Sequence, residues 1–151
     1  MANNEFLIDG RSKLVDDLTV LKAKGTVATS MVGENPVGTD KTYDTGGGRT
    51  KGDMVLVVYA VPNILASTKM TFRLQGSKNS SFSTIVDLQI AELGDATQLS
   101  GSADMTLDKY IIPFSNAFGD TVYRYLRHYF TIGGTIGTGV QYEAFLSNLH
   151  S

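Results

Sequence analysis

The sequence predicts an all-β chain, a single jelly-roll or β-sandwich domain with an extended N-terminal arm. Three observations carry this. Lys69 to Gln75 alternates, with Met70, Phe72 and Leu74 facing one way and Thr71, Arg73 and Gln75 the other, which is the period of a strand with one buried face. Met54 to Ala60 is a continuous apolar run ended by Pro62-Asn63, as expected of a strand buried on both faces. Sixteen glycines against three prolines, with abundant Thr, Ser, Val and Tyr, suit strands joined by many turns. A chain of 151 residues has the size of one domain and buries roughly two-thirds of its unfolded surface.

The chain divides near residue 52, into an N-terminal arm and irregular region (1–51) and a β-domain (52–151). Phe6-Leu7-Ile8 is the first apolar cluster. Leu14, Leu18 and Leu21 then have the spacing of a two-turn amphipathic helix, whereas Thr19-Val20 suits a strand. Gly25 to Asp53 is polar and glycine-rich, a composition suited to an irregular arm or long loop. That region reads either as a tail with one early strand or as an arm that orders against a neighbouring subunit. The first residues carry no long apolar run, which predicts neither a secretory leader nor a spanning helix.

Beyond Asp53 the strands follow at short spacing. After the Met54 and Lys69 strands, a turn over Gly76 to Ser81 leads into Phe82 to Ile90, where Val86, Leu88 and Ile90 share a face. A loop from Leu93 to Ser102 precedes a strand from Met105 to Ile112. A long strand, Thr121 to Ile132, comes next. Gly133 to Gly139 reads as a hairpin loop whose glycines supply positive φ, and Val140 to Leu146 is the last strand. The predicted core holds Val55, Val57, Phe72, Leu74, Val86, Leu88, Leu126 and Phe130.

The strand Thr121 to Ile132 has no side designed for water. One face carries Val122, Arg124, Leu126, His128, Phe130 and Ile132; the other carries Tyr123, Tyr125, Arg127, Tyr129 and Thr131. The first can fill a core. The second has the composition of a contact surface, where Tyr and Arg are favoured anchors. Arg127 among tyrosines can stack and bond to a partner's backbone or carboxylate; the alternative is a strand-edge arginine that reaches into solvent. His128, beside Leu126 and Phe130, reads as a satisfied core or interface histidine rather than a ligand.

Chemistry finds little support. Net charge is −2 with both signs scattered, which argues against a nucleic-acid partner. The chain has no cysteine, which removes thiolate nucleophiles and thiolate metal sites. Asp44-Thr45-Gly46 is the triplet of aspartic proteases, but the apolar strand leading into such a site is missing. Gly46 to Gly52 lacks the order of a phosphate loop. The reading is a non-enzymatic protein with no cofactor or metal site.

The order of GDMVLVVYA (52–60), MTFRLQGSKNSSFSTIVDL (70–88) and YIIPFSNAFGDTVYRYLRHYFTIGGTIGTGVQYEAFL (110–146) resembles the jelly-roll capsid cement, or decoration, proteins of tailed phages. The leader EFLIDGRSKL also resembles that family's N-terminal segment. The resemblance implies a structural virion protein, assembled in the host cytoplasm and seated on the capsid surface. Its partners would be the major capsid protein and itself, often as a homotrimer, with no nucleic acid and no membrane. Tyr123, Tyr125, Arg127 and Tyr129, together with Phe6, Leu7, Ile8 and Arg11 of the arm, are the expected contact residues. The alternative is a carbohydrate- or receptor-binding β-sandwich of a phage particle, because tyrosine surfaces also stack on sugars.

Overall fold

A computed structural model describes residues 19–33, 40–60, 69–94, 109–133 and 139–151. They form the strands β1 (Val20–Val27), β2 (Met31–Val32), β3 (Tyr43–Asp44), β4 (Lys51–Ala60), β5 (Lys69–Ser77), β6 (Val86–Gly94), β7 (Lys109–Ser115), β8 (Ala117–Phe118), β9 (Thr121–Val122), β10 (Tyr125–Gly133) and β11 (Val140–His150).

The strands build two antiparallel sheets, ordered β1-β11-β4-β7 and β2-β10-β5-β6, with β3 pairing on β10 and β8 with β9 as a small separate ribbon. The order records one long hairpin rolled on itself. β1 pairs with β11, β2 with β10, β4 with β7 and β5 with β6. The β4–β11 and β5–β10 pairings then complete the sheets. This is the winding of a jelly roll, so the expected all-β sandwich is the observed fold.

Between the sheets lies the core. Met54, Leu56, Tyr142, Ala144 and Leu146 of the first sheet meet Met70, Phe72, Leu74, Leu126 and Phe130 of the second. Rings dominate its centre, with Phe72 5.0 Å from both Phe130 and Tyr142. Val55, Val57 and Phe145 are buried in a second cluster, with Val20 and Tyr59 against it. The Met54 run is thus buried on both faces, as its sequence predicts.

Several expectations are corrected. Leu21, in the stretch read as either helix or strand, and Val27, placed by sequence in the irregular region, are buried in β1 and its sheet. The pairing of β1 with the last strand gives these polar-flanked residues a partner that local pattern does not reveal. Met31–Val32 and Tyr43–Asp44 also join β10, so the sheets begin well before residue 52. Of the strand expected from Met105 to Ile112, residues 109–112 lie in β7, which runs on to Ser115, and 105–108 lie outside the described residues. Val86 is half-buried and Ile90 points outward. The cause is a β-bulge: Leu74 pairs with Gln89 but Gln75 with Asp87, leaving Leu88 as an extra residue that flips the parity beyond it. Residues Phe6, Leu7, Ile8, Arg11, Leu14 and Leu18 lie outside the described residues, as do residues 95–102 of the loop expected from Leu93, whose first two residues, Leu93 and Gly94, belong to β6.

Gly139 enters β11 at φ +93, and a Cβ there would stand 2.6 Å from the Val27 carbonyl oxygen. Only glycine fits both demands, as expected of a glycine that supplies positive φ; the hairpin expected there is corrected, because β10 and β11 lie in different sheets and do not pair.

Candidate functional site

β10 pairs with β5 without a register shift from Tyr125–Ser77 to Gly133–Lys69. Period two therefore holds: Leu126, His128 and Phe130 are buried, while Tyr125, Arg127, Tyr129 and Thr131 turn to the outer face, half-buried. The same outer rows carry Arg73 and Gln75 on β5 and Asp87, Ile90 and Glu92 on β6.

A polar ladder ties these rows together. Arg127 Nε donates to Gln75 Oε1 at 3.0 Å, and Gln75 Nε2 donates to Asp87 Oδ1 at 3.0 Å. Arg73 Nε lies 3.3 Å from Asp87 Oδ2, and Arg73 also donates through Nη1 to Thr131 Oγ1. Long side chains laid flat in this way cover the sheet, so Thr71 and Gln75 are buried although they face outward.

The Arg127 guanidinium rests on aromatic surface, 4.5 Å from the Phe82 ring and 5.8 Å from that of Tyr129. Burial lowers its pKa, against the attraction of Asp40. Phe82 holds its place at a cost, since its φ is +52, a region that bulky residues rarely adopt. The turn that imposes it is knotted by Asn79. The Asn79 carboxamide donates to Ser83 Oγ at 2.7 Å and accepts from Ser81 Oγ and from Ser83 N–H, and Phe82 N–H donates to the Asn79 carbonyl. Arg127 is thus held beside Phe82 and Tyr129 by a bond to Gln75.

Tyr123 does not belong to this face. Residues 123–124 are irregular, between β9 and β10, so the long strand expected from Thr121 is broken and its alternation lost. Tyr123 packs against the core instead. A Cβ at Gly76 would stand 2.9 Å from Tyr123 Cβ and 2.8 Å from Leu88 Cδ1, so glycine is what admits the close approach. With Lys78, Asn79, Thr84, Val86 and Thr121, Tyr123 lines a groove of about 360 Å³ at one end of the sandwich.

Arg124 is likewise turned out, not onto the aliphatic side. It clamps Asp44 through Nε at 2.8 Å and Nη2 at 2.9 Å, with its guanidinium 5.3 Å from the Tyr125 ring. The guanidinium, and then the Gly46 N–H, hold the Asp44 carboxyl below the usual carboxylate range. Asp44-Thr45-Gly46 is therefore a staple: Thr45 donates through both N–H and Oγ1 to the Arg124 carbonyl at 2.9 Å. Buried Asn116 completes this end. Its Oδ1 accepts from Thr50 N–H at 2.7 Å, and its Nδ2 donates to the carbonyls of Gly48 and Tyr123 at 2.9 and 3.2 Å.

His128 is fully buried and satisfied. Nδ1 faces the Arg73 carbonyl at 3.0 Å and must carry the proton; Nε2 then accepts from the Tyr142 hydroxyl at 2.7 Å. Burial first, and the Lys22 cation besides, draw its pKa down to about 3, although the bond to Arg73 opposes them. Burial pushes the Tyr142 phenol well above its ordinary value. The pair is a structural bridge between the sheets.

Among the described residues, no group of three or more His, Asp or Glu side chains is placed to hold a metal ion. No family model matches the chain, and no curated protein matches it in sequence.

Sequence reading named Tyr125, Arg127 and Tyr129 but missed Phe82, Arg73, Gln75 and Asp87 as their support. The alternation of Lys69 to Gln75 already turned Arg73 and Gln75 outward. What no local signal carried was the register that sets them beside Arg127.

Proposed function

We propose that this protein is a non-enzymatic assembly module that binds a protein partner through the outer face of β10, with Tyr125, Arg127 and Tyr129 as anchors. The observation that carries this is the Arg127 ladder: a guanidinium resting on Phe82 and Tyr129 and held by Gln75, itself held by Asp87, which pairs with Arg73. A side chain ordered in advance loses little freedom on binding, which is how rigid Tyr and Arg become anchors. The resemblance to tailed-phage cement proteins gives the reading its concrete form. The partner would be the major capsid protein, the place the outer surface of the virion, and the role the bridging of capsid subunits by a small homo-oligomer.

Replacing Tyr125 and Tyr129 together by Ser leaves the buried side of β10 intact. Sedimentation with purified capsids is expected to show occupancy at least tenfold lower for this variant, with an unchanged circular dichroism spectrum. Equal occupancy would mean that another surface binds.

A second reading, glycan binding, is favoured by the end groove, which Tyr123, Lys78, Asn79, Thr84 and Thr121 line. Aromatic faces and hydroxyl donors are what a sugar uses. Chemical-shift changes at Lys78, Thr84 and Thr121 on titration with mono- and disaccharides would favour it over the first.

A further inference from the structure

The edges of the two sheets are not equally protected. An open edge offers a row of unpaired backbone groups, which proteins blunt with bulges, lysines, prolines or very short strands. β1, one edge of the first sheet, has two register shifts and carries Lys22 and Lys24. β7, its other edge, contains Pro113 opposite Asp53, and proline cannot donate to a further strand. In the second sheet, β2 and β3 are two residues each. β6 is the exception. It is nine residues long, has no proline, lysine or arginine, and pairs only with β5 among the described residues. Its bulge falls near its start, so Gln89 to Gly94 pairs with β5 without interruption.

Two more observations concern what this edge displays. Its outward carboxylates are already neutralised from β5, Asp87 by Arg73 and Glu92 by Lys69, both at 3.3 Å. Two of the four exposed large apolar side chains among the described residues lie here: Ile90 on β6 is 49 % exposed and Ile85 just before it 41 %. A long, regular, electrically neutral edge flanked by exposed isoleucines is a pairing edge.

We infer that β6 pairs antiparallel with β6 of a second copy, joining two second sheets into one continuous sheet across a two-fold axis. A second copy fits better than a charged segment, because the β6 carboxylates are spent on their own arginine and lysine and offer no free charge for a foreign strand to read. The axis passes near Ile90 or Ala91, since centring on Glu92 would set two carboxylates opposite each other. Either position brings the two Ile90 side chains onto one face within reach of each other. This contact is separate from the β10 face and does not depend on it.

The test uses the full chain. Sedimentation equilibrium over a wide concentration range is expected to show a monomer–dimer step. Hydrogen exchange above that step should show β6 amides protected that exchange freely below it. Ile90→Glu adds a carboxylate beside the axis and next to Glu92 of the facing strand, and should weaken the dimer at least tenfold. The side chain is at the surface, so circular dichroism should stay unchanged. The Tyr125→Ser, Tyr129→Ser variant should keep the dimer, which separates this contact from the β10 face. A chain monomeric throughout, an oligomer whose β6 amides exchange as fast as the monomer's, or an Ile90→Glu dimer as tight as the parent would each overturn the inference.

Discussion

His128 shows how much one side chain can be asked to do by its surroundings. It is fully buried, stacked near Phe72 at 6.1 Å and edge-on to Tyr142 at 5.6 Å, and both ring nitrogens are engaged as the neutral form requires. Protonation would put a second hydrogen on the ring, where Nε2 now accepts from Tyr142, and a second cation near Lys22. The folded pKa of about 3 lies below the unfolded value near 6.5. The unfolded chain therefore binds a proton that the folded chain refuses. Stability from this group is fully present above about pH 6.5 and is lost as pH falls toward 3, at a slope of up to about 1.4 kcal/mol per pH unit. Urea unfolding between pH 7.5 and 4 is expected to show this fall, and His128→Gln to flatten the part that His128 contributes. An unchanged slope in the variant would assign the acid sensitivity to other groups. The sequence made His128 a core residue through its neighbours Leu126 and Phe130. The Tyr142 partner could not be read, because it comes from the opposite sheet.

At the scale of elements, the strands were legible and their irregularities were not. Alternation located β5 and the buried half of β10, and the apolar run located β4, because in each case a strand's own residues record its burial. The bulge at Leu88 and the break at Tyr123-Arg124 leave no such record. They arise from pairing across strands, and each reverses the faces of neighbouring residues: Ile90 turned out, Tyr123 turned in. The break is held open by Asn116, whose side chain and backbone together bond to Gly48, Thr50 and Tyr123. Asn116→Ala would strand the half-buried Thr50 N–H and two carbonyls without the partners Asn116 supplies. Its expected cost is about 1–3 kcal/mol. Because Asn116 aligns Tyr123 and the start of β10, faster hydrogen exchange should appear in residues 45–50 and 121–125 before the rest of β10. Chemical denaturation and site-resolved exchange together check this; a loss spread evenly over all strands would show that Asn116 acts through general packing.

The winding of the whole molecule follows from pairings that no local pattern announces. Sequence predicted the class, because alternation, turns and glycine content are distributed over the chain. It put the domain boundary too late, because β1 has its partner in β11 at the other end. That long-range closure has a kinetic and a structural consequence. Pairing the first strand with the last requires closing a loop of nearly the full chain before its contacts repay the entropy. Folding is therefore expected on the millisecond-to-second scale typical of sandwiches rather than that of helical bundles, measurable by stopped-flow refolding. β11 is also the central strand through which closure happens, between β1 and β4, and it delivers Tyr142, Ala144 and Leu146 to the core and Phe145 to the cluster on the far face. Ending the chain at residue 139 would open both neighbours' edges and empty both clusters at once. The truncated chain is expected to be insoluble or to lack a cooperative thermal transition, whereas the Tyr125→Ser, Tyr129→Ser variant melts near the parent. A truncated chain that stays soluble and melts cooperatively would show that the second sheet folds alone, and that the jelly roll closes on a sheet already formed.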